Sequence, residues 1–385
     1  MDSMVLIPIM VPLPVALTVV CTSVLAVMLY VRSLFSSIDT LPKLFYKEST
    51  LNTHLLNKSS IMRRPFRPSY WLKNRHVQTI LGCVRPQCIV HYEREYLQLS
   101  DKGVVALDWV IGTNYVIRRN SPICIVFPSL TGDANSVSDL CGCSARKGFR
   151  TVVFNSRGHG NSFLTTTKLQ SFGDPLDVRQ TVLYIHQKHP RTQIVAMAMG
   201  SGSTVLFSYL GEYGSSTRLK AAAFVSPVYD VTQSLIRGIS KFYEFFLLSK
   251  LKLMLFTHAH ALSEVVDIGR AMLSWNMSTF QKYVYCRGNE SHDQFLERND
   301  PMRDVDDISV PVLCVSSTDD PVCKHRDTPF DIFQFYPNML LVATEHGGHC
   351  GFLESIHRPA WTDKLSVDYL ASVLEFSSKG YEHSG

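Results

Sequence analysis

Thr192-Gln193-Ile194-Val195-Ala196-Met197-Ala198-Met199-Gly200 is the stretch on which the reading of this chain turns. Its apolar run has the length of a buried strand, small residues suited to a tight turn close it, and Ser201 to Leu210 has helical spacing. Strand, small-residue turn and helix in succession make the G-x-S-x-G corner, where strained backbone presents a serine oxygen above a sheet. Laid on that pattern, the five positions are Ala196, Met197, Ala198, Met199 and Gly200, which puts alanine where the nucleophile belongs. Alanine has no oxygen to attack with. The expectation is a chain that is no enzyme, or one that uses another group.

Working outward, apolar β-branched runs recur at 104–110, 123–127, 151–154, 194–197, 221–225, 312–315 and 340–343. Helical stretches at 175–189, 203–212 and 361–375 lie among the later ones. Several runs are continuous rather than alternating, as in parallel strands covered on both faces. The alternation of strand and helix predicts a doubly wound, mostly parallel α/β sheet with ligands at the carboxyl ends of its strands. Residues 229–305 break the rhythm with a mainly helical insertion, expected to cap that edge. Its segment Phe242-Tyr243-Glu244-Phe245-Phe246-Leu247-Leu248 either lines an acyl-chain pocket or forms the cap's own core.

A chain of 385 residues, 45% of them hydrophobic, can bury a substantial core. The net charge of +5 is mild and carries no basic stripe interleaved with aromatics, so nucleic-acid binding has no footprint. None of the ten cysteines falls in a Cys-x-x-Cys pair, which argues for mostly reduced structural thiols over a zinc site.

Val5 to Val31 is almost wholly apolar, long enough for a span of about 20 residues. No Lys or Arg precedes it, which favours an uncleaved anchor over a cleaved signal peptide for residues 1–32. The cluster Arg32, Lys43, Lys47, Lys58, Arg63, Arg64 and Arg67 follows, which puts the large domain on the cytosolic side. Three Asn-x-Ser sequons, at Asn57, Asn276 and Asn289, argue for a luminal or secreted domain instead. Residues 33–70 read as a polar, basic connector, and the folded domain as 71–380.

Two partners of a charge relay follow the corner in the order acid then histidine. The run Val310 to Val315 delivers Ser317-Thr318-Asp319-Asp320-Pro321 into a loop, and Met339 to Ala343 leads to Gly347-Gly348-His349-Cys350-Gly351-Phe352. A carboxylate so placed accepts the histidine N–H and stabilises the imidazolium. Other candidate nucleophiles are Ser201, about 5–6 Å along the next helical turn, and Ser129. Cys350 adjoins His349 in sequence and is read as pointing away. A His349-activated water is the remaining route, and general-base catalysis alone contributes about 10²–10⁴-fold.

With these pieces the chain resembles the AB hydrolase 4 family of α/β-hydrolase-domain proteins from about residue 70 to 375. The resemblance rests on Asn74-Arg75-His76-Val77-Gln78-Thr79-Ile80, Leu130-Thr131-Gly132, Asn155-Ser156-Arg157-Gly158, Asp177-Val178-Arg179, Asp319-Asp320-Pro321 and the segment 347–352. It implies an eight-stranded hydrolase sheet with a helical cap, an amino-terminal transmembrane helix, and lipase or esterase chemistry on lipid acyl bonds. It also implies Asp320 and His349 as acid and base, with Asp319 the alternative acid. Leu130 and Met199 become the oxyanion-hole donors, and no cofactor or metal is implied. The departures are Ala198, Ala196, and Pro128-Ser129 where the family has His-Gly. Proline at 128 removes one amide donor and restricts Phe127. The reading is a membrane-associated pseudo-hydrolase that binds a lipid-like ligand or a protein partner. Its rival is a lipase or carboxylesterase with a displaced nucleophile.

Overall fold

The computed structural model describes residues 18, 21–28, 41–112, 117–118, 120–286 and 288–382. Among the described residues, nine strands form one sheet: β1 (Lys43–Tyr46), β2 (His91–Gln98), β3 (Val104–Ile111), β4 (Ile123–Phe127), β5 (Arg150–Asn155), β6 (Ile194–Met199), β7 (Leu219–Val225), β8 (Val312–Ser317) and β9 (Met339–Thr344). Their spatial order is β1-β9-β8-β7-β6-β4-β5-β3-β2. The central pairs from β5 through β4, β6, β7 and β8 to β9 are parallel. The β1–β9, β2–β3 and β3–β5 pairs are antiparallel. The sheet is therefore mostly parallel, with one strand more than the eight expected.

The helices, in chain order, are α1 (Thr50–Lys58), α2 (Arg75–Val84), α3 (Ser138–Arg146), α4 (Leu176–Lys188) and α5 (Gly202–Tyr213). Between β7 and β8 come α6 (Lys241–Thr257), α7 (Ala259–Leu262), α8 (Ile268–Leu273), α9 (Met277–Val284) and α10 (His292–Arg298), then α11 (Phe330–Phe335) and α12 (Trp361–Glu382) beyond β8. Helices cover both faces of the sheet, and the side-chain period of two divides β6 between them. Val195 and Met197 join the layer containing Trp361 and Leu365 of α12, while Ile194, Ala196 and Ala198 join the layer containing Leu206 and Phe207 of α5. The cap helices enclose a third apolar cluster of their own, built on Leu248, Leu251, Leu255, Met277 and Phe280.

The boundary drawn at residue 70 moves. Residues 41–70, read as a connector, are part of the folded unit, which runs from Thr40 to Gly385. Strand β1 extends the sheet edge along β9, from Lys43 opposite Ala343 to Tyr46 opposite Leu340. Ser49 caps α1 through the Asn52 N–H, and buried Asn52 donates to the carbonyls of Lys47 and Pro337. Leu55, Met62 and Phe66 are buried in the layer with α12. A four-residue edge strand and a polar nine-residue helix are too short to show a period, which is why composition alone reads as linker.

The other compact unit is residues 1–39. Its described residues 21–28 are helical and expose Val24, Leu25, Val27 and Met28. Most of the 1–32 segment read as an anchor or signal peptide lies outside the described residues. Among those described, no helix is long and apolar enough to cross a membrane.

Because Leu55 is fully buried, Leu55→Ala should lower the free energy of unfolding by about 2–5 kcal/mol. Urea titration checks this, and an unchanged midpoint would return residues 41–70 to a linker.

Candidate active site

The strained corner lies two residues beyond the expected one. Ala198 is inside β6, paired with Phe127 and Phe224, and only 1% exposed. Strand pairing continues through Met199, opposite Val225. The chain then turns at Gly200, whose φ of 49° lies in the left-handed region, and α5 begins at Gly202. A β-carbon built on Gly200 would stand 3.1 Å from His349 Nε2. One built on Gly202 would stand 2.3 Å from the Pro128 carbonyl oxygen, so the last glycine of the pattern permits the helix to sit against the β4 loop. The five-residue pattern is thus Ala198-Met199-Gly200-Ser201-Gly202, and the position aimed at the histidine is a glycine, not Ala198.

Moving the corner moves its neighbours. The backbone N–H that follows the aimed residue is that of Ser201, so Met199, which packs as a strand residue, is not the oxyanion donor expected. Ser201 Oγ accepts from the Leu130 N–H at 2.9 Å and lies 3.0 Å from Ser129 Oγ. The Leu130 amide that a hydrolase of this layout turns toward a developing oxyanion already has an oxygen on it. Beneath this contact is a cavity of about 40 Å³, lined in part by Phe127, Ser129, Leu130, Ser201 and Gly202.

The two relay residues do meet. Asp320 Oδ2 and His349 Nδ1 are 2.9 Å apart, with Asp320 buried and His349 nearly so. Asp320 Oδ1 accepts the N–H groups of Val322 and Cys323, which fixes the carboxylate. Asp319, the alternative acid, instead accepts the Gly348 N–H at 2.9 Å. Burial alone would push the imidazole of His349 down. The Asp320 carboxylate, with the Cys350 and Cys323 thiols, outweighs it and holds His349 well above the usual imidazole range.

Residues that the relay pattern alone does not mark hold the histidine loop. The His349 N–H donates to Thr79 Oγ1 at 2.9 Å, and the Cys350 N–H donates to Ser226 Oγ at 2.9 Å. Gln78, fully buried, donates to the Leu72 and Leu353 carbonyls and accepts the Leu353 N–H. A β-carbon on Gly348 would come within 2.5 Å of the Arg75 carbonyl oxygen, and one on Gly351 within 2.6 Å of that of Gln78. The segment Asn74 to Ile80 is therefore a clamp on the 347–352 loop. The only earlier signal of it was its place in the family resemblance. Arg157 and Asp177, two more residues of that resemblance, form a buried bidentate pair at 2.6 and 2.7 Å that also engages Asp101. They fasten the β5 loop and take no part at the corner.

Cys350 does not point away. Its Sγ lies 3.3 Å from the β-carbon position of residue 200, as does Ser129 Oγ. Asp320, Cys323 and His349 bring a carboxylate oxygen, a sulfur and a ring nitrogen within 4.8 Å of one another, the one such trio among the described residues. Its carboxylate oxygens are already engaged, and burial pushes the Cys323 thiol up, away from the thiolate a metal needs. Nor do the aromatics of 242–248 behave as one group. Phe242, Phe245 and Phe246 are exposed on the outside of α6, and only Tyr243 turns inward, its hydroxyl 2.8 Å from His76 Nδ1. A wider cleft lies elsewhere. It is about 820 Å³, runs between the 130–133 and 158–164 loops and α6, and is lined in part by Leu130, Leu164, Lys250, Leu251 and His258.

An α/β-hydrolase-fold profile matches residues 122–356, more than half of the chain. The chain belongs to the α/β-hydrolase-fold family. It is similar to human Protein ABHD15, 38% identical over 80% of this chain and 69% of that protein. Mouse Phospholipase ABHD3 is 27% identical over 88% of this chain and 86% of its own length, and human Monoacylglycerol lipase ABHD2 is 24% identical over 87% and 86%. The relatives thus include proteins named as a phospholipase and as a monoacylglycerol lipase.

His349 holds its proton more tightly folded than unfolded. The contribution of its pair with Asp320 is therefore full below the unfolded imidazole value of about 6.5 and is lost as pH rises through the higher folded value. Asp320→Asn should weaken that dependence and lower the ring titration, since burial is then opposed only by the neighbouring Cys350 and Cys323. The ring-proton NMR shift of His349 reports it, and an unmoved titration would separate the histidine from its carboxylate.

Proposed function

We propose that this chain is a pseudo-hydrolase, a lipase-type fold retained to hold a lipid-like acyl ligand. The observation that carries the reading is Gly200 at the strained corner, facing His349 Nε2 with no side chain to activate. Two further features support it. Ser201 Oγ takes the Leu130 N–H, and His349 is biased toward its charged form. The cleft beside α6 sets Leu130, Leu164, Leu251, Leu253 and Met254 beside polar groups that include Lys250 and Asp133, a combination that suits an acyl chain with a polar head. Relatives named as a phospholipase and a monoacylglycerol lipase point to the same ligand chemistry. A protein partner on the cap is the other way such a fold can serve.

The second reading, a hydrolase with a displaced nucleophile, draws on Cys350 Sγ and Ser129 Oγ, each 3.3 Å from the vacated β-carbon position. Labelling with a fluorophosphonate distinguishes the two. Wild type should stay unlabelled, Gly200→Ser should label, and Ala198→Ser should not, because residue 198 lies inside the sheet. Serine at a φ of 49° carries about 1–3 kcal/mol of strain, which nucleophile corners tolerate. Wild-type labelling that vanishes in Ser129→Ala, or ester-driven acylation that vanishes in Cys350→Ala, would sink the pseudo-hydrolase reading.

For residues 1–32 the reading is a membrane anchor with the folded unit cytosolic. Asn289 is exposed and sits in an Asn-x-Ser sequon. It should show no glycosidase-sensitive shift in cells; a shift would place the domain on the luminal side.

A further inference from the structure

Helix α6 is apolar on both of its faces. Glu244, Leu248, Leu251 and Leu255 are buried in the cap, and the opposite face is apolar as well. Phe242, Phe245, Phe246, Leu253 and Phe256 are 54%, 67%, 53%, 67% and 65% exposed. Spaced at i, i+3, i+4, i+11 and i+14, they line one side of a 17-residue helix. Next along the cap surface, Leu273 is 75% and Trp275 is 92% exposed. An outward patch of this make-up contributes nothing to the cap's own packing and marks a surface built to meet an apolar phase.

The charges identify that phase. The helix's one acid, Glu244, is buried, bonded to Lys241 Nζ at 2.8 Å and to the Met277 N–H at 2.9 Å. The charged side chains it leaves toward solvent are cations, Lys241 and Lys250, with half-buried Lys252 tied to the Ser274 carbonyl. Aromatic rings that enter the acyl boundary, a tryptophan at headgroup level and lysines reaching to phosphate are the composition of an interfacial helix. We propose that the outer face of α6, with Leu273 and Trp275, docks on an anionic lipid surface. Lys250 and Leu253 belong both to this face and to the wall of the 820 Å³ cleft, so docking sets the cleft mouth at the lipid. The proposal stands whether or not residue 200 can be made reactive.

The test uses the full chain on vesicles of phosphatidylcholine and phosphatidylserine in equal parts, some of the phosphatidylcholine carrying brominated acyl chains. Vesicle binding alone is uninformative, because the apolar amino-terminal segment can supply it. Tryptophan quenching reports the face itself. Expected is quenching that Trp275→Phe removes, that Phe245→Ser with Phe256→Ser cuts severalfold, and that falls when phosphatidylserine is omitted or salt is raised. Unquenched Trp275 in vesicle-bound protein would overturn the proposal, as would quenching indifferent to both serine substitutions. A dimer in light scattering that the same two substitutions dissolve would assign the face to a second copy instead.

Discussion

Gly202 touches the backbone of the β4 loop, and the geometry of the corner follows from that contact. With a β-carbon due 2.3 Å from the Pro128 carbonyl, no side chain can stand there, and α5 is drawn down against the loop. That approach forces the turn at Gly200 into the left-handed region, fixes Ser201 as the first residue facing Leu130, and leaves Ala198 inside the sheet. Backbone packing, not catalytic chemistry, holds the corner in this shape. It is therefore unsurprising that the shape persists without a nucleophile.

A second set of constraints holds the histidine side. Thr79, Ser226, Asp319 and Asp320 each take an N–H or ring nitrogen of the 348–350 segment, and Gln78 binds the chain just beyond. Cys350 and Phe352 keep positive φ values of 57° and 46°, which only a firmly held loop sustains. Both halves of the site are thus rigid before anything binds. Between them, position 200 carries no side chain and the Ser201 hydroxyl rests on the Leu130 amide.

Much of this was legible in the sequence. Continuous apolar runs gave the central parallel strands, since those strands are covered on both faces and show no alternation. The acid–histidine order marked the two loops, and the family resemblance picked from them Asp320 and His349, which lie within hydrogen-bond distance. The corner's register was not legible, because a small-x-small-x-Gly pattern fits twice, as Ala196 to Gly200 and as Ala198 to Gly202. Only the end of strand pairing at Met199 separates the two. Residues 41–70 were missed because β1 and α1 are too short for a period to emerge. The phenylalanines at 242, 245 and 246 were read as lining an acyl-chain pocket or as the cap's own core, because apolar residues normally find cover. Burial, which depends on what a helix packs against, decided otherwise.

The hydroxyl of Ser201 on the Leu130 amide bears on how the chain could change over generations. A serine gained at 200 would meet an amide already satisfied from within, and clearing position 201 first would leave an open pair of donors with nothing to serve. Either step alone therefore restores only part of a hydrolase corner. Under the pseudo-hydrolase reading that coupling would act as a ratchet, since two neighbouring positions would have to change together before full chemistry returned.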